Sequence, residues 1–106
     1  MVNMGVKKYR IDRSNIEGVG VFAIRQIHQG DIIGFAFSGT NILDLHINPN
    51  FGSLINHSYS PNTRLVELKK GRYYLVAIRR ISRGEELVAD YNDTPSFIKK
   101  PHPDWE

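Results

Sequence analysis

The sequence has no cysteine, which excludes disulfides and any thiolate metal centre, so packing and hydrogen bonding must hold the fold. It has no apolar run approaching the ~20 residues of a membrane-spanning helix, and no membrane association is expected. The opening MVNMGVKKYR carries no apolar stretch of the length a secretory signal needs, so an intracellular protein is expected, cytoplasmic or nuclear. No window shows a 3.6-residue apolar stripe longer than about two turns, so helices contribute little. The histidines, His28, His46, His57 and His102, stand at no metal-ligand spacing, and no metal is expected. Aromatic residues interleaved with bases are also missing, and direct binding of nucleic acid is not expected.

What remains is a chain of 106 residues, 41% hydrophobic and 24% charged, with a formal charge of +3. These values describe one ordinary globular domain. Its basic residues gather at Lys7, Lys8 and Arg10, at Lys69, Lys70 and Arg72, and at Arg79, Arg80 and Arg83. They read as solvated loop and edge charges.

The strand signals are short and numerous. Lys8 to Ile11, Val19 to Ile24, Asp31 to Phe37, Arg64 to Leu68, Tyr73 to Ile78 and Glu86 to Ala89 are rich in β-branched and aromatic residues. Glycines at Gly18, Gly30, Gly39, Gly71 and Gly84 punctuate them as turns. Lys69-Lys70-Gly71-Arg72 reads as a hairpin connection. Leu43 to Ile47 is the one place where a short helical turn is expected. The chain is therefore mostly β. Two stretches, FAIRQIHQG (Phe22 to Gly30) and AIRRISRG (Ala77 to Gly84), share an isoleucine followed by a turn and an acid. Their flanks do not match, so they read as two similar strand exits rather than a repeat.

Three segments carry candidate chemistry. Ile16-Glu17-Gly18-Val19-Gly20-Val21-Phe22 contains a Gly-x-Gly pair, which can mark close backbone approach to a ligand. Asn56-His57-Ser58-Tyr59-Ser60-Pro61-Asn62 packs polar side chains around a turn. Gly84 to Tyr91, GEELVADY, is a turn and a short apolar strand that ends in a phenol. Taken singly, each has a purely structural reading.

Taken together, GVGVFAIRQIHQGD, NHSYSPN and GEELVADY resemble, in order and spacing, the SET family of protein lysine methyltransferases. The likeness runs over roughly residues 8 to 105, and the ending IKKPHPDW is similar to members that lack a zinc-binding segment after the domain. It implies a single domain over residues 1–106, with a core at 8–91 and a tail at 92–106 folding over a cofactor site. The implied fold is mostly β, a SET-domain (β-clip) arrangement of small curved sheets with a knot-like crossing of the NHS and DY motifs. S-adenosylmethionine is the implied cofactor, held by Gly18, Val19, Gly20, Asn56 and His57, with Trp105 stacking on adenine and Phe97 as a second candidate. Tyr91 is the implied catalytic residue, and Phe37, Tyr59 and Ala89 the implied substrate channel.

The chain departs from the family where Phe37 replaces a frequent tyrosine and where Ala89 stands for a frequent Phe or Tyr. The insert from Ser38 to Gly52 is short. Compact members of this size occur in viruses and some microbes, where a dimer partner can complete the substrate groove, so a homodimer is one expectation. The implied partner is a lysine-containing protein, histone or not. Two other readings stand beside this one: a non-catalytic SET-like interaction module, and a domain related by fold alone that binds a sugar or nucleotide.

Overall fold

The computed structural model describes residues 7–93. Within them the chain forms eight short strands: β1 (Tyr9–Arg13), β2 (Val19–Ala23), β3 (Ile32–Ser38), β4 (His46–Ile47), β5 (Asn56–His57), β6 (Thr63–Lys69), β7 (Arg72–Ala77) and β8 (Glu86–Ala89). They build two four-stranded sheets, ordered β1-β2-β8-β5 and β4-β3-β7-β6. The expected strands are present within one or two residues at each end. The five turn glycines all adopt positive φ, the conformation that other residues reach only at a cost. The β6–β7 hairpin pairs Lys69 with Arg72 across Lys70-Gly71, and the Gly71 N–H donates to Glu67 at 2.7 Å.

The expected helical turn at Leu43 to Ile47 is not formed. Asp44 instead closes a loop, its carboxylate accepting from the Thr40 and Asn41 N–H groups and the Thr40 hydroxyl. A carboxylate that takes backbone donors this way offers the chain an alternative to helix. His46–Ile47 then pairs with β3, and the short helical turn comes later, at Gly52–Leu54. An added Cβ at Gly52 would lie 2.1 Å from the Ala36 carbonyl, so only glycine lets this turn press on β3.

β3 carries register shifts between Ile32 and Gly34 and between Phe35 and Phe37. Bulges of this kind put consecutive side chains on one face, and both Ala36 and Phe37 are buried as a result. The core, which includes Val21, Ile27, Phe51, Leu75, Ile81 and Leu87, fills the space between the sheets.

The two similar sequence stretches meet each other. Ile27 and Ile81, both fully buried, exchange backbone hydrogen bonds of 2.9 and 2.8 Å. The Gly30 N–H donates to the Ala77 carbonyl and the Gly84 N–H to the Ala23 carbonyl, each at 2.8 Å. Asp31 and Glu85 then cap their own turns through the N–H groups of His28 and Ser82, each at 2.9 Å. The resemblance in sequence is thus a local two-fold in space, a role the mismatched flanks concealed.

Candidate active site

The segment after Ile55 runs beside β8. Asn56 pairs with Val88 and His57 with Ala89 in a two-residue parallel ladder, and Ser58 N–H donates to the Ala89 carbonyl at 3.0 Å. Asn62 and Thr63 return to the same strand with their side chains. Asn62 Nδ2 donates to the Glu86 carbonyl at 2.8 Å, and Asn62 Oδ1 accepts from Val88 N–H at 3.0 Å. Thr63 Oγ1 donates to the Val88 carbonyl at 2.7 Å. Both side chains are fully buried, where an unpaired polar group would be costly. This crossing sets the position of everything in the site.

Beyond β8 the chain turns through Asp90 into Tyr91. The Tyr91 N–H donates to His57 Nδ1 at 3.0 Å, and the two rings lie 5.0 Å apart. An imidazole nitrogen that accepts a hydrogen bond carries no proton, which assigns the proton of neutral His57 to Nε2. The 3.9 Å approach of the Asp90 carboxylate to that same Nδ1 is then no ion pair in this tautomer. The Tyr91 hydroxyl donates to the Ile55 carbonyl, one residue before Asn56. Burial pushes the Tyr91 hydroxyl above its ordinary value of 10.0, because the phenolate would lose its hydration.

Tyr91 also lines a cavity of about 260 Å³ between the two sheets. Ala36 and Phe37 of β3, Ile47 of β4, Leu65 of β6, Leu75 of β7 and Ala89 of β8 contribute its apolar walls, with Gly52, Ser53 and Ile55 completing it. Tyr73 stacks on Phe37, centroids 4.5 Å apart and rings 13° from parallel, and so fixes the Phe37 ring. Apart from Phe37 and Tyr91 the lining is free of aromatic rings. Among the described residues no aromatic takes up the space left by Ala89.

Asn56 faces away from this cavity's walls, toward the Gly-x-Gly strand. Its Nδ2 lies 3.2 Å from the carbonyls of Glu17 and Val19, 3.0 Å from Ser14 Oγ and 2.8 Å from Glu86 Oε2. Gly18 beside it has open space where a side chain would stand, and Val19 is 48% exposed. The end of β2 beyond its pairing with β8, with an amide beside it, offers polar backbone that suits the amino-acid end of S-adenosylmethionine. Among the described residues no group of His, Asp and Glu is arranged to hold a metal ion.

The structure therefore brings Gly18, Val19, Gly20, Asn56, His57 and Tyr91 into one neighbourhood, and places Phe37 and Ala89 on one cavity. Tyr59 joins that neighbourhood from its exposed side: it is 47% exposed and packs edge-on against His57, centroids 4.3 Å apart, and does not line the cavity. Trp105 and Phe97 lie outside the described residues. Sequence reasoning passed over Ser14, Glu86, Asn62, Thr63, Leu65 and Leu75. Glu86 and Asn62 were visible inside the motifs, but nothing local distinguishes a residue that holds another from one that meets solvent.

Comparison with known proteins places these observations. The sequence profile of the SET domain matches residues 35–92, more than half of the chain. The human Histone-lysine N-methyltransferase 2B is 27% identical over an alignment of 110 positions that covers 74% of this chain. The chain corresponds to 4% of the length of that relative. A crystal structure of a candidate histone methyltransferase from Plasmodium falciparum superposes with a TM-score of 0.65 at 21% identity, covering 79% of this chain and 92% of that one. That likeness concerns the fold. With the profile spanning β3 to Tyr91 and the three motifs converging on one crossing, this chain belongs to the SET domain family.

Proposed function

We propose that this chain is a protein-lysine N-methyltransferase that takes its methyl group from S-adenosylmethionine. The observation that carries the reading is Tyr91 set in the wall of an apolar cavity, its hydroxyl bonded to Ile55 beside the Asn56–His57 segment. The similarity to a relative named for histone-lysine methylation agrees with it. When bound, the cofactor supplies an electrophilic methyl on a sulfonium.

This chain's residues would do the rest. A lysine amine, with a pKa near ~10.4, is almost wholly protonated at neutral pH and must lose that proton before it attacks. The walls of Ala36, Phe37, Leu65, Leu75 and Ala89 disfavour the ammonium by desolvation. Tyr91, its hydroxyl pushed up by burial and donating to Ile55, is a poor base at neutral pH, so its role is to orient the amine and shape the field around it. Positioning of this kind can supply several kcal/mol of barrier reduction. Asn56 and the backbone from Gly18 to Gly20 would hold the cofactor's amino-acid end, with His57 fixing the Tyr91 backbone behind it. Trp105 and the tail would cover the adenine.

The substrate class is a lysine-bearing protein segment, and a histone tail is the first to test. The exposed Ile42 and Leu43 on the short insert, 62% and 93% accessible, suit a second copy that completes the substrate groove. Sedimentation at assay concentration checks that point, since full activity from a monomer excludes it. A nuclear or cytoplasmic site of action follows from such substrates. Among the described residues no helix is long and apolar enough to cross a membrane.

The decisive experiment is calorimetric titration with S-adenosylmethionine, followed by methyl transfer to histone and ribosomal proteins with Tyr91→Phe as control. Binding with turnover that falls about 100-fold in the variant is expected, the scale of a lost positioning contact. A folded chain that binds no cofactor, or equal turnover in the variant, would overturn the reading in favour of a non-catalytic module.

A further inference from the structure

The least expected residue in the site is Glu86, the first of β8, paired across the sheet with Phe22 and half-buried. Its two carboxylate oxygens accept from the Ser14 hydroxyl at 2.8 and 2.9 Å, and Oε2 also accepts from Asn56 Nδ2 at 2.8 Å. Ser14 is itself anchored, its Oγ accepting from Ile16 N–H at 2.9 Å. The hydroxyl has one proton, and Glu86 receives it.

The consequence falls on Asn56. Four oxygens, from Ser14, Glu17, Val19 and Glu86, surround its Nδ2 within 3.2 Å. An amide nitrogen has two protons to give, and the charged acceptor forms the strongest of these bonds. The reversed amide would place Oδ1 among the same four oxygens, carboxylate included, and pay electrostatic repulsion. Glu86 therefore selects one amide orientation and turns Oδ1 away from the cluster.

Gly20 belongs to the same arrangement. An added Cβ there would lie 2.2 Å from Glu86 Oε2 and 2.9 Å from its Cδ. The second glycine of the Gly-x-Gly pair thus leaves room for this carboxylate. One residue from each of the three motifs, Gly20, Asn56 and Glu86, takes part in a single polar cluster.

We infer that Glu86 is a positioning residue for cofactor binding: it touches no substrate, and it acts by locking the Asn56 amide with Oδ1 presented as an acceptor. The inference rests on the reading of Asn56 as a cofactor contact. A merely structural Glu86 would lower stability without a selective effect on the cofactor. A positioning Glu86 sets cofactor affinity and leaves turnover at saturation nearly intact.

Calorimetry with S-adenosylmethionine on the wild-type chain, Glu86→Gln and the neighbouring Glu85→Gln tests this, with thermal unfolding of each. Glu86→Gln should weaken Kd about tenfold or more, with kcat at saturating cofactor within about threefold. Glu85→Gln should bind as the wild type does. In the wild type alone, NMR should show the Asn56 side-chain amide protons exchanging with solvent far more slowly than those of exposed Asn50, a readout that needs no variant to fold. Unchanged affinity in a folded Glu86→Gln, or an Asn56 amide that exchanges as fast as Asn50, would overturn the inference. Failure of the wild type to bind would show itself first, and would bring down the underlying reading while the amide exchange still reports whether the lock exists.

Discussion

The paired turns around Ile27 and Ile81 and the crossing around Asn56 and Tyr91 are built by opposite means. At the paired turns backbone groups are matched by backbone partners or by an acid three residues away, and these bonds repeat from one half to the other. At the crossing the bonds run from side chains to groups remote in sequence: Ser14 to Glu86, Asn62 to β8, His57 to Tyr91. Backbone pairing is indifferent to most side-chain changes. Side-chain pairing is specific, and a single substitution undoes it. The molecule thus keeps its rigidity in one place and its chemical specificity in another.

Substitutions can test that division, beginning with the largest effect. Ile27→Ala and Ile81→Ala each empty a fully buried site and should cost about 2–5 kcal/mol in chemical denaturation. That is a large share of the stability of a domain this size. The local two-fold predicts similar losses for the pair, and the division predicts little change in cofactor affinity for whatever remains folded. Unequal losses would mean that the two turns are alike in bonding but not in packing.

Asn62→Ala probes the other region. It strips Val88 N–H of its buried acceptor and should cost about 1–3 kcal/mol. Here cofactor affinity should fall together with stability, because the same strand carries Glu86. Stability lost with affinity retained would blur the distinction.

Alkaline pH acts on the crossing through Tyr91. Burial raises the Tyr91 hydroxyl above 10.0, so the folded chain keeps a proton that the unfolded chain releases sooner. That contribution is fully present below the ordinary tyrosine value and is lost as pH climbs through the folded one. Denaturation midpoints between about pH 9 and 11 should fall less steeply in Tyr91→Phe than in the wild type.

The smallest effect belongs to the surface of the paired turns. The Arg79 guanidinium, donating to Glu85 at 2.9 Å, holds that carboxyl below its usual value, with Ser82 N–H assisting. Its support is present above the ordinary carboxylate range and fades as pH falls. Both groups reach solvent, the side chains 53% and 33% exposed, so Arg79→Ala should cost about 0.5 kcal/mol or less at neutral pH.

How much was legible follows the same division. The strands and turn glycines could be read because β-branched runs and Gly-acid pairs are local signals. The motif residues Asn56, His57 and Tyr91 could be placed together only through the family resemblance, since 34 positions separate His57 from Tyr91. The turn expected at Leu43 to Ile47 gives way because Asp44 closes a loop back onto Thr40 and Asn41 and His46–Ile47 pairs with β3. Ser14 was silent: a serine before Asn-Ile-Glu says nothing about a carboxylate 72 residues away. Tyr59, which the family resemblance implies for the channel, packs edge-on against His57.

The span from Ser14 to Tyr91 has a kinetic consequence. Ser14, Asn56 and Glu86 meet only after loops of 42 and 30 residues have closed, and the parallel β5–β8 ladder needs both ends of the second. Such distant pairings are entropically late and slow a fold's formation. During synthesis, the ribosome must therefore release residue 91 before this crossing can be complete. The β6–β7 hairpin can form earlier, whereas the paired turns wait for Gly84 and the crossing for Tyr91.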